Sequence, residues 1–179
     1  MQEDIKDILI TQEELKEICS RLGKEISKDY EGKNPVILVI LKGSAVFASD
    51  LIRSIGIPVT LDFMRVSSYG NSTESSGSLK ILQDIDYDIS GRDVIIVEDI
   101  VDSGLTLSTL RKMLEERGAD VSICTCLSKP SRRKADVDIR YLGREIPDEF
   151  IVGYGLDFAE KYRNLPYIGI LKREIYENQ

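Results

Sequence analysis

The chain has 179 residues, 42% of them apolar and 31% charged, with a net charge of −7 from 24 basic and 31 acidic side chains. This suits one globular domain with its own core, and it opposes a nucleic-acid surface, which needs clustered Lys and Arg to neutralise phosphates. Histidine is absent, which removes Ser-His-Asp and Cys-His catalysis and histidine-ligated metals. Chemistry falls to carboxylates, lysines, hydroxyls, backbone amides and an oxygen-liganded metal. No apolar run approaches bilayer length, so no membrane span is expected. The acidic start, Met1 to Asp4, is unlike a secretory signal, and a cytoplasmic protein is expected. Cys19, Cys124 and Cys126 form no CxxC pair and read as small core residues.

Thr11-Gln12-Glu13-Glu14 fits a capping box, and Leu15, Ile18, Cys19, Leu22 and Ile26 then recur at helical spacing. That helix should end near Glu31-Gly32. Residues 35–41, PVILVIL, read as a strand buried on both faces, the pattern of a parallel sheet. Lys42-Gly43-Ser44 breaks it. A helix is expected from Ala45 to Ile55, with Val46, Phe47, Leu51 and Ile52 inward. Pro58 to Val66 alternates as a strand with Val59, Leu61 and Phe63 on one side. Residues 67–78, SSYGNSTESSGS, lack periodicity and read as a lid loop. A strand resumes over Leu79 to Leu82.

Val94 to Val97 is another double-faced apolar strand, expected to end at Glu98-Asp99. Asp102-Ser103-Gly104 leads into a helix with Leu107, Leu110, Met113 and Leu114 inward and Gly118 at its end. Val121 to Leu127 is a strand closed by Lys129-Pro130. Val137, Ile139 and Tyr141 alternate, and Phe150 to Tyr154 and Tyr167 to Leu171 read as the last strands. Strands alternating with helices give an α/β domain on a mainly parallel sheet flanked by helices, one domain over residues 1–179.

In such sheets ligands bind at the carboxyl ends of the strands. The segment VIIVEDIVDSGLTL, residues 94–107, is the most informative stretch. Two adjacent carboxylates at the end of a buried strand repel each other and lose solvation. They become favourable when they accept hydrogen bonds from a diol or lie near a metal. The start of the following helix, with the Ser103 and Thr106 hydroxyls, suits a phosphate. Gly104 would let that phosphate approach the backbone. A diol reader beside a phosphate cradle describes a ribose 5-phosphate pocket.

The string resembles the phosphoribosyl pyrophosphate motif of type I phosphoribosyltransferases: an apolar strand, Glu-Asp, two apolar residues, then Asp-Ser-Gly-x-Thr. LKGS at 41–44, SSYG at 67–70, Lys129, and IPDEFIVGYGLDFAEKYRNLP at 146–166 extend the resemblance to the hypoxanthine-guanine phosphoribosyltransferases. It implies that family's fold, with a small hood and a flexible active-site loop. It implies phosphoribosyl pyrophosphate and a 6-oxopurine as partners, magnesium as cofactor, and a homo-oligomer, dimer or tetramer. By the same resemblance Glu98 and Asp99 hold the ribose hydroxyls, and Asp102 faces N7 of the purine as base or proton partner. Asp102, Ser103, Gly104, Leu105 and Thr106 bind the 5-phosphate, although some relatives carry a lysine where Leu105 stands. Lys42, Gly43 and Arg163 bind pyrophosphate, with a Leu41-Lys42 peptide that can be cis. Lys129 donates to O6, Phe150 stacks on the base, and Ile151 and Asp157 border it. Glu98, Asp99 and Asp157 lie toward the metal, and Ser68 and Tyr69 belong to the lid. The Arg132-Arg133-Lys134 cluster reads as a solvated turn. Two other readings stay open: a xanthine-preferring enzyme, and a regulator that keeps the pocket as a sensor.

Overall fold

The computed structural model describes residues 1–68 and 79–177. In chain order the main elements are β1 (Ile5–Ile10), α1 (Gln12–Asp29), β2 (Val36–Leu41), α2 (Ala45–Ser54), β3 (Thr60–Ser68), β4 (Leu79–Gln83) and β5 (Asp93–Val101). There follow α3 (Leu105–Glu116), β6 (Asp120–Ser128), β7 (Tyr141–Glu145), β8 (Ile151–Val152), β9 (Ile168–Leu171) and the short α4 (Arg173–Tyr176). Six strands form one sheet in the order β4-β3-β2-β5-β6-β7. All its pairings are parallel except that of β3 with β4.

The double-faced apolar runs explain the layers. On β2, Ile37 and Val39 face one side, where they join Ile95, Val97, Cys124 and Cys126 under α1 and α2. Val36, Leu38 and Ile40 face the other side and pack with Val94, Ile96 and the α3 residues Leu107, Leu110 and Leu114. Alternate side chains of one strand therefore fill two cores. Helix α1 starts as its sequence implies: the Glu14 N–H donates to Thr11 Oγ1 at 3.2 Å, and the Thr11 N–H donates to Glu14 Oε2 at 2.8 Å. Such a cap stabilises a helix by about 1 kcal/mol.

A second sheet, β1-β9-β8, is antiparallel. It packs over a small cluster of Val152, Tyr162, Leu165 and Leu171, and forms the hood. Several elements differ from expectation. Strand β1 has no clear signature in the sequence, because its pairing partner β9 lies at the far end of the chain. Strand β5 does not stop at the carboxylates but runs on to Val101. Val46 on α2 is 39% exposed rather than inward; on β3 Leu61 and Phe63 share a side as expected, and that side is the exposed one, at 41% and 36%, while Met64 is buried. Val137 and Ile139 pack against the second core without joining a strand. No helix among the described residues is long and apolar enough to cross a membrane. The three cysteines are buried and free.

Candidate active site

The parallel strands β2, β5 and β6 deliver three loops to one edge of the sheet. At the end of β2 the Leu41-Lys42 peptide is cis. Ser44 is fully buried, and its Oγ accepts the Asp99 N–H at 3.0 Å. A Cβ on Gly43 would lie 1.7 Å from Asp99 Oδ2, and one on Gly155 would lie 2.0 Å from the Gly43 carbonyl oxygen. The β2 loop is thus pressed between the β5 carboxylate and the hood, with no room for a methyl group. Gly43→Ala is expected to displace the Asp99 carboxylate and lower turnover by about 100-fold, since a shift near 1 Å can cost that much. Circular dichroism with a turnover assay on the same sample checks that the fold survives.

Glu98 Oε2 is buried without a hydrogen-bond partner among the described residues. Desolvation, with the Asp99 charge beside it, pushes the Glu98 carboxyl well above the usual carboxylate range. Burial also pushes Asp99 up to about 6, against the Ile100 N–H and the Arg163 guanidinium, which pull it down. A carboxyl raised by folding contributes stability at low pH and loses it as pH rises through its raised value. Glu98→Gln is therefore expected to stabilise the ligand-free protein at pH 7.5 by about 1 kcal/mol. The gain should vanish near pH 4, where both states of the parent carry the proton. Thermal melts in chelator across that range measure it, and a gain that persisted at pH 4 would contradict the cause.

Beyond Val101 the chain turns into α3. Gly104 has φ 77°, a conformation open to glycine. A Cβ there would sit 2.8 Å from Val137 Cγ2. The crowding comes from the protein's own 133–137 segment, a constraint additional to any close approach of a phosphate. That segment is tied on by the Lys134 and Ala135 N–H groups, which both donate to the Ser103 carbonyl oxygen at 2.9 and 3.0 Å. Glu98, Asp102, Ser103, Gly104 and Thr106 border a cavity of about 280 Å³ with Leu41 at its edge. Helix α3 starts at this cavity, where the Leu105 N–H donates to Ser103 Oγ at 3.4 Å. The Leu105 side chain is 44% exposed.

A second cavity, of about 330 Å³, adjoins the first and shares Ile100 and Asp102 with it. Lys129, Phe150, Ile151 and Asp157 line it. Lys129 is only 6% exposed. Its Nζ donates to the Glu149 carbonyl oxygen at 2.8 Å and lies 4.0 Å from Asp102 Oδ1 and 3.9 Å from Asp148 Oδ1. Arg132 is exposed in its turn, as expected, but it also reaches the site. Its Nε lies 2.7 Å from Asp148 Oδ1 and its Nη1 3.7 Å from Asp102 Oδ2, and it lines the same cavity. Arg133, its neighbour, donates to Ser128 Oγ at 2.7 Å. Nothing in the spacing of residues 129–134 marks Arg132; the contact comes from Asp148 across the loop. Ile151 is buried, and its backbone pairs with Ile170.

The hood supplies the third wall. Arg163 Nη1 donates to the Gly155 carbonyl oxygen at 2.8 Å, and Nη2 lies 2.8 Å from Asp157 Oδ1. Asp157 Oδ2 accepts the Glu160 N–H at 2.9 Å. Lys42 Nζ and Arg163 Nη2 both meet Glu160 Oε2, at 3.0 and 3.5 Å. Glu160 thus gathers the two expected pyrophosphate cations, a role its sequence gives no sign of. Glu98 and Asp99 are neighbours, but among the described residues no group of three acidic or cysteine side chains is arranged to hold a metal ion. Ser68 ends β3; Tyr69 and the rest of the 69–78 stretch lie outside the described residues.

Comparison with known proteins agrees with this geometry. A family described as the phosphoribosyl transferase domain matches residues 6–159. The hypoxanthine-guanine phosphoribosyltransferase of Staphylococcus aureus strain N315 is 50% identical over 179 residues, 99% of this chain and 100% of that protein. That of Bacillus subtilis strain 168 is 50% identical, covering 99% of each. A crystal structure of a hypoxanthine phosphoribosyltransferase from Staphylococcus aureus superposes with a TM-score of 0.95 at 50% identity, over 98% of this chain and 96% of that one. Matched along its whole length in sequence and in fold, the chain belongs to the hypoxanthine-guanine phosphoribosyltransferase family.

Proposed function

We propose that the protein serves purine salvage, moving the 5-phosphoribosyl group of phosphoribosyl pyrophosphate to N9 of hypoxanthine or guanine and giving IMP or GMP and pyrophosphate. One observation carries this reading: a carboxylate-and-phosphate-loop cavity and an aromatic, lysine-floored cavity meet at Asp102. A ribose phosphate in the first and a flat base in the second would join there.

Glu98 and Asp99 would bind the ribose hydroxyls, while Ser103, Gly104, Leu105 and Thr106 offer N–H and hydroxyl donors to the 5-phosphate. The bond from C1 to the pyrophosphate oxygen breaks and its electron pair leaves with pyrophosphate. N9 of the base supplies its lone pair to C1, and the proton on N7 passes to Asp102. Lys42 and Arg163 would turn from Glu160 to the departing pyrophosphate, exchanging one anion for another, with the Gly43 backbone beside them. Lys129 would donate to O6, Phe150 would cover one face of the base, and Ile151 and Asp157 would border its edge. By the resemblance, Ser68, which ends β3, and Tyr69 would border a segment that closes over the reacting centre and excludes water.

Magnesium is part of the same reading. Glu98 Oε2 is a buried oxygen without a partner among the described residues, and Asp99 stands next to it. Hard oxygen donors suit a cation that takes one or two carboxylates and completes its shell with water and substrate oxygens. Glu98 and Asp99 would hold it; Asp157, the third residue the resemblance points to, is paired with Arg163 at 2.8 Å and would have to leave that partner to join them. When bound, the ion would neutralise charge on the pyrophosphate oxygens. The reading also includes a cytoplasmic homo-oligomer, dimer or tetramer. Three reduced, buried thiols and the apolar surface left by Leu61 and Phe63 are compatible with it, and sedimentation equilibrium reads the mass directly.

The test is pyrophosphate release from phosphoribosyl pyrophosphate with magnesium and, in turn, hypoxanthine, guanine, xanthine and adenine. Release with hypoxanthine and guanine and none with adenine supports the proposal. Release with xanthine alone would make it a xanthine enzyme, and none with any base would favour a sensor.

A further inference from the structure

The base cavity has one wall that comes from the last residues of the chain. Arg173–Tyr176 form α4. The Lys172 N–H donates to the Asp4 carbonyl oxygen at 2.9 Å, which ties the entry of this helix to the N-terminal segment. Ile175 and Tyr176 pack on the hood cluster of Val152, Tyr162, Leu165 and Leu171. From that anchorage the Tyr176 ring lies almost parallel to Phe150, with centroids 4.6 Å apart and planes 17° apart. Phe158 meets Phe150 edge-on, at 5.5 Å and 88°. Tyr176 and Phe150 both border the cavity that holds Lys129 and Asp102.

Phe150 is 37% exposed, so burial alone does not fix its ring. A stacking platform is useful only if its plane is set before the base arrives, because ordering it afterwards costs affinity. Phe158 and Tyr176 contact the ring at two different angles, and only Tyr176 also borders the cavity. We infer that Tyr176 is a positioning residue for the purine: it holds the Phe150 ring in its stacking plane and closes the base cavity, so that the C-terminal helix belongs to the 6-oxopurine site. This rests on the reading of that cavity as the base site.

Loss of one aromatic stack corresponds to about a three- to tenfold change in affinity. Tyr176→Ala is expected to raise KM for hypoxanthine and guanine by about that factor, leaving KM for phosphoribosyl pyrophosphate unchanged. Tyr176→Phe keeps the ring and should restore the parental KM. Tyr176→Leu keeps apolar packing against the hood cluster but not the stack, and should behave as the alanine variant does. The chain contains no tryptophan, so Tyr176→Trp places a lone indole at the site, and its fluorescence should change on saturation with hypoxanthine. A parent enzyme that releases pyrophosphate with no base would overturn the base-site reading itself. A parent that saturates with hypoxanthine, beside a Tyr176→Leu variant of equal base KM and an indole blind to the base, would overturn the role of Tyr176 alone.

Discussion

Asp102→Ala is expected to bind phosphoribosyl pyrophosphate and hypoxanthine within a few-fold of the parent and to turn over about 1,000-fold more slowly. That factor is the usual range for losing a positioned acid or base. The expectation rests on place as well as chemistry. Asp102 is the carboxylate that borders both cavities. Its Oδ1 has no hydrogen-bond partner among the described residues, although Lys129 stands at 4.0 Å and Arg132 at 3.7 Å from its two oxygens. Under the proposed mechanism, an acceptor without a partner, with cations near enough to steady it but too far to occupy it, would take the proton that N7 gives up. Asp102→Asn keeps the shape without the basicity and should fail as the alanine variant does. Single-turnover kinetics beside equilibrium binding separates the two effects. Full turnover in either variant would remove Asp102 from proton transfer.

The second large effect concerns Lys129. Replacement by Gln is expected to lower kcat/KM for hypoxanthine by about 50-fold, from the loss of a charge-assisted hydrogen bond. The gap between hypoxanthine and adenine should narrow by at least about tenfold, because specificity is a difference of two affinities. A buried ammonium can only donate. In the proposed site it would meet the 6-oxo group of hypoxanthine well and the donating 6-amino group of adenine badly. A glutamine amide can present either end. The fold holds Lys129 in place as a donor. Its side chain is nearly buried, aimed by the Glu149 carbonyl oxygen at 2.8 Å and flanked by Asp102 and Asp148. Parallel assays with hypoxanthine and adenine on Lys129→Gln decide the point. An unchanged ratio between the two bases would move the discrimination elsewhere.

Both effects depend on residues that are visible in the sequence, and on neighbours that are not. VIIVEDIVDSGLTL is legible because its information is local: a strand, a turn and a helix in one unbroken piece, with apolar residues on both strand faces. The β2 and β6 runs are legible for the same reason, and strand-end chemistry follows from a parallel sheet. Arg132 looks like a solvated turn because its partner Asp148 lies sixteen residues on, across a loop. Glu160 is an exposed charge whose pairing with Lys42 is invisible locally because the two lie 118 residues apart in the chain.

Strand β1 is hard to read locally because its register is set by β9. The outward face of β3 is equally hidden, because alternation says which residues share a side, not which side is covered.

By itself the sequence determined the α/β class, the double-faced strands, the carboxylate pair, the phosphate loop and, through its motifs, the family. Those depend on neighbours within a turn or two along the chain. Only the tertiary structure decided that Asp102 stands between two cavities, that Gly43 has no room for a methyl group, that Arg132 and Glu160 face the site, and that Tyr176 stacks on Phe150. Each of those joins segments far apart in the chain, and such contacts are settled by how layers pack, which no local pattern records.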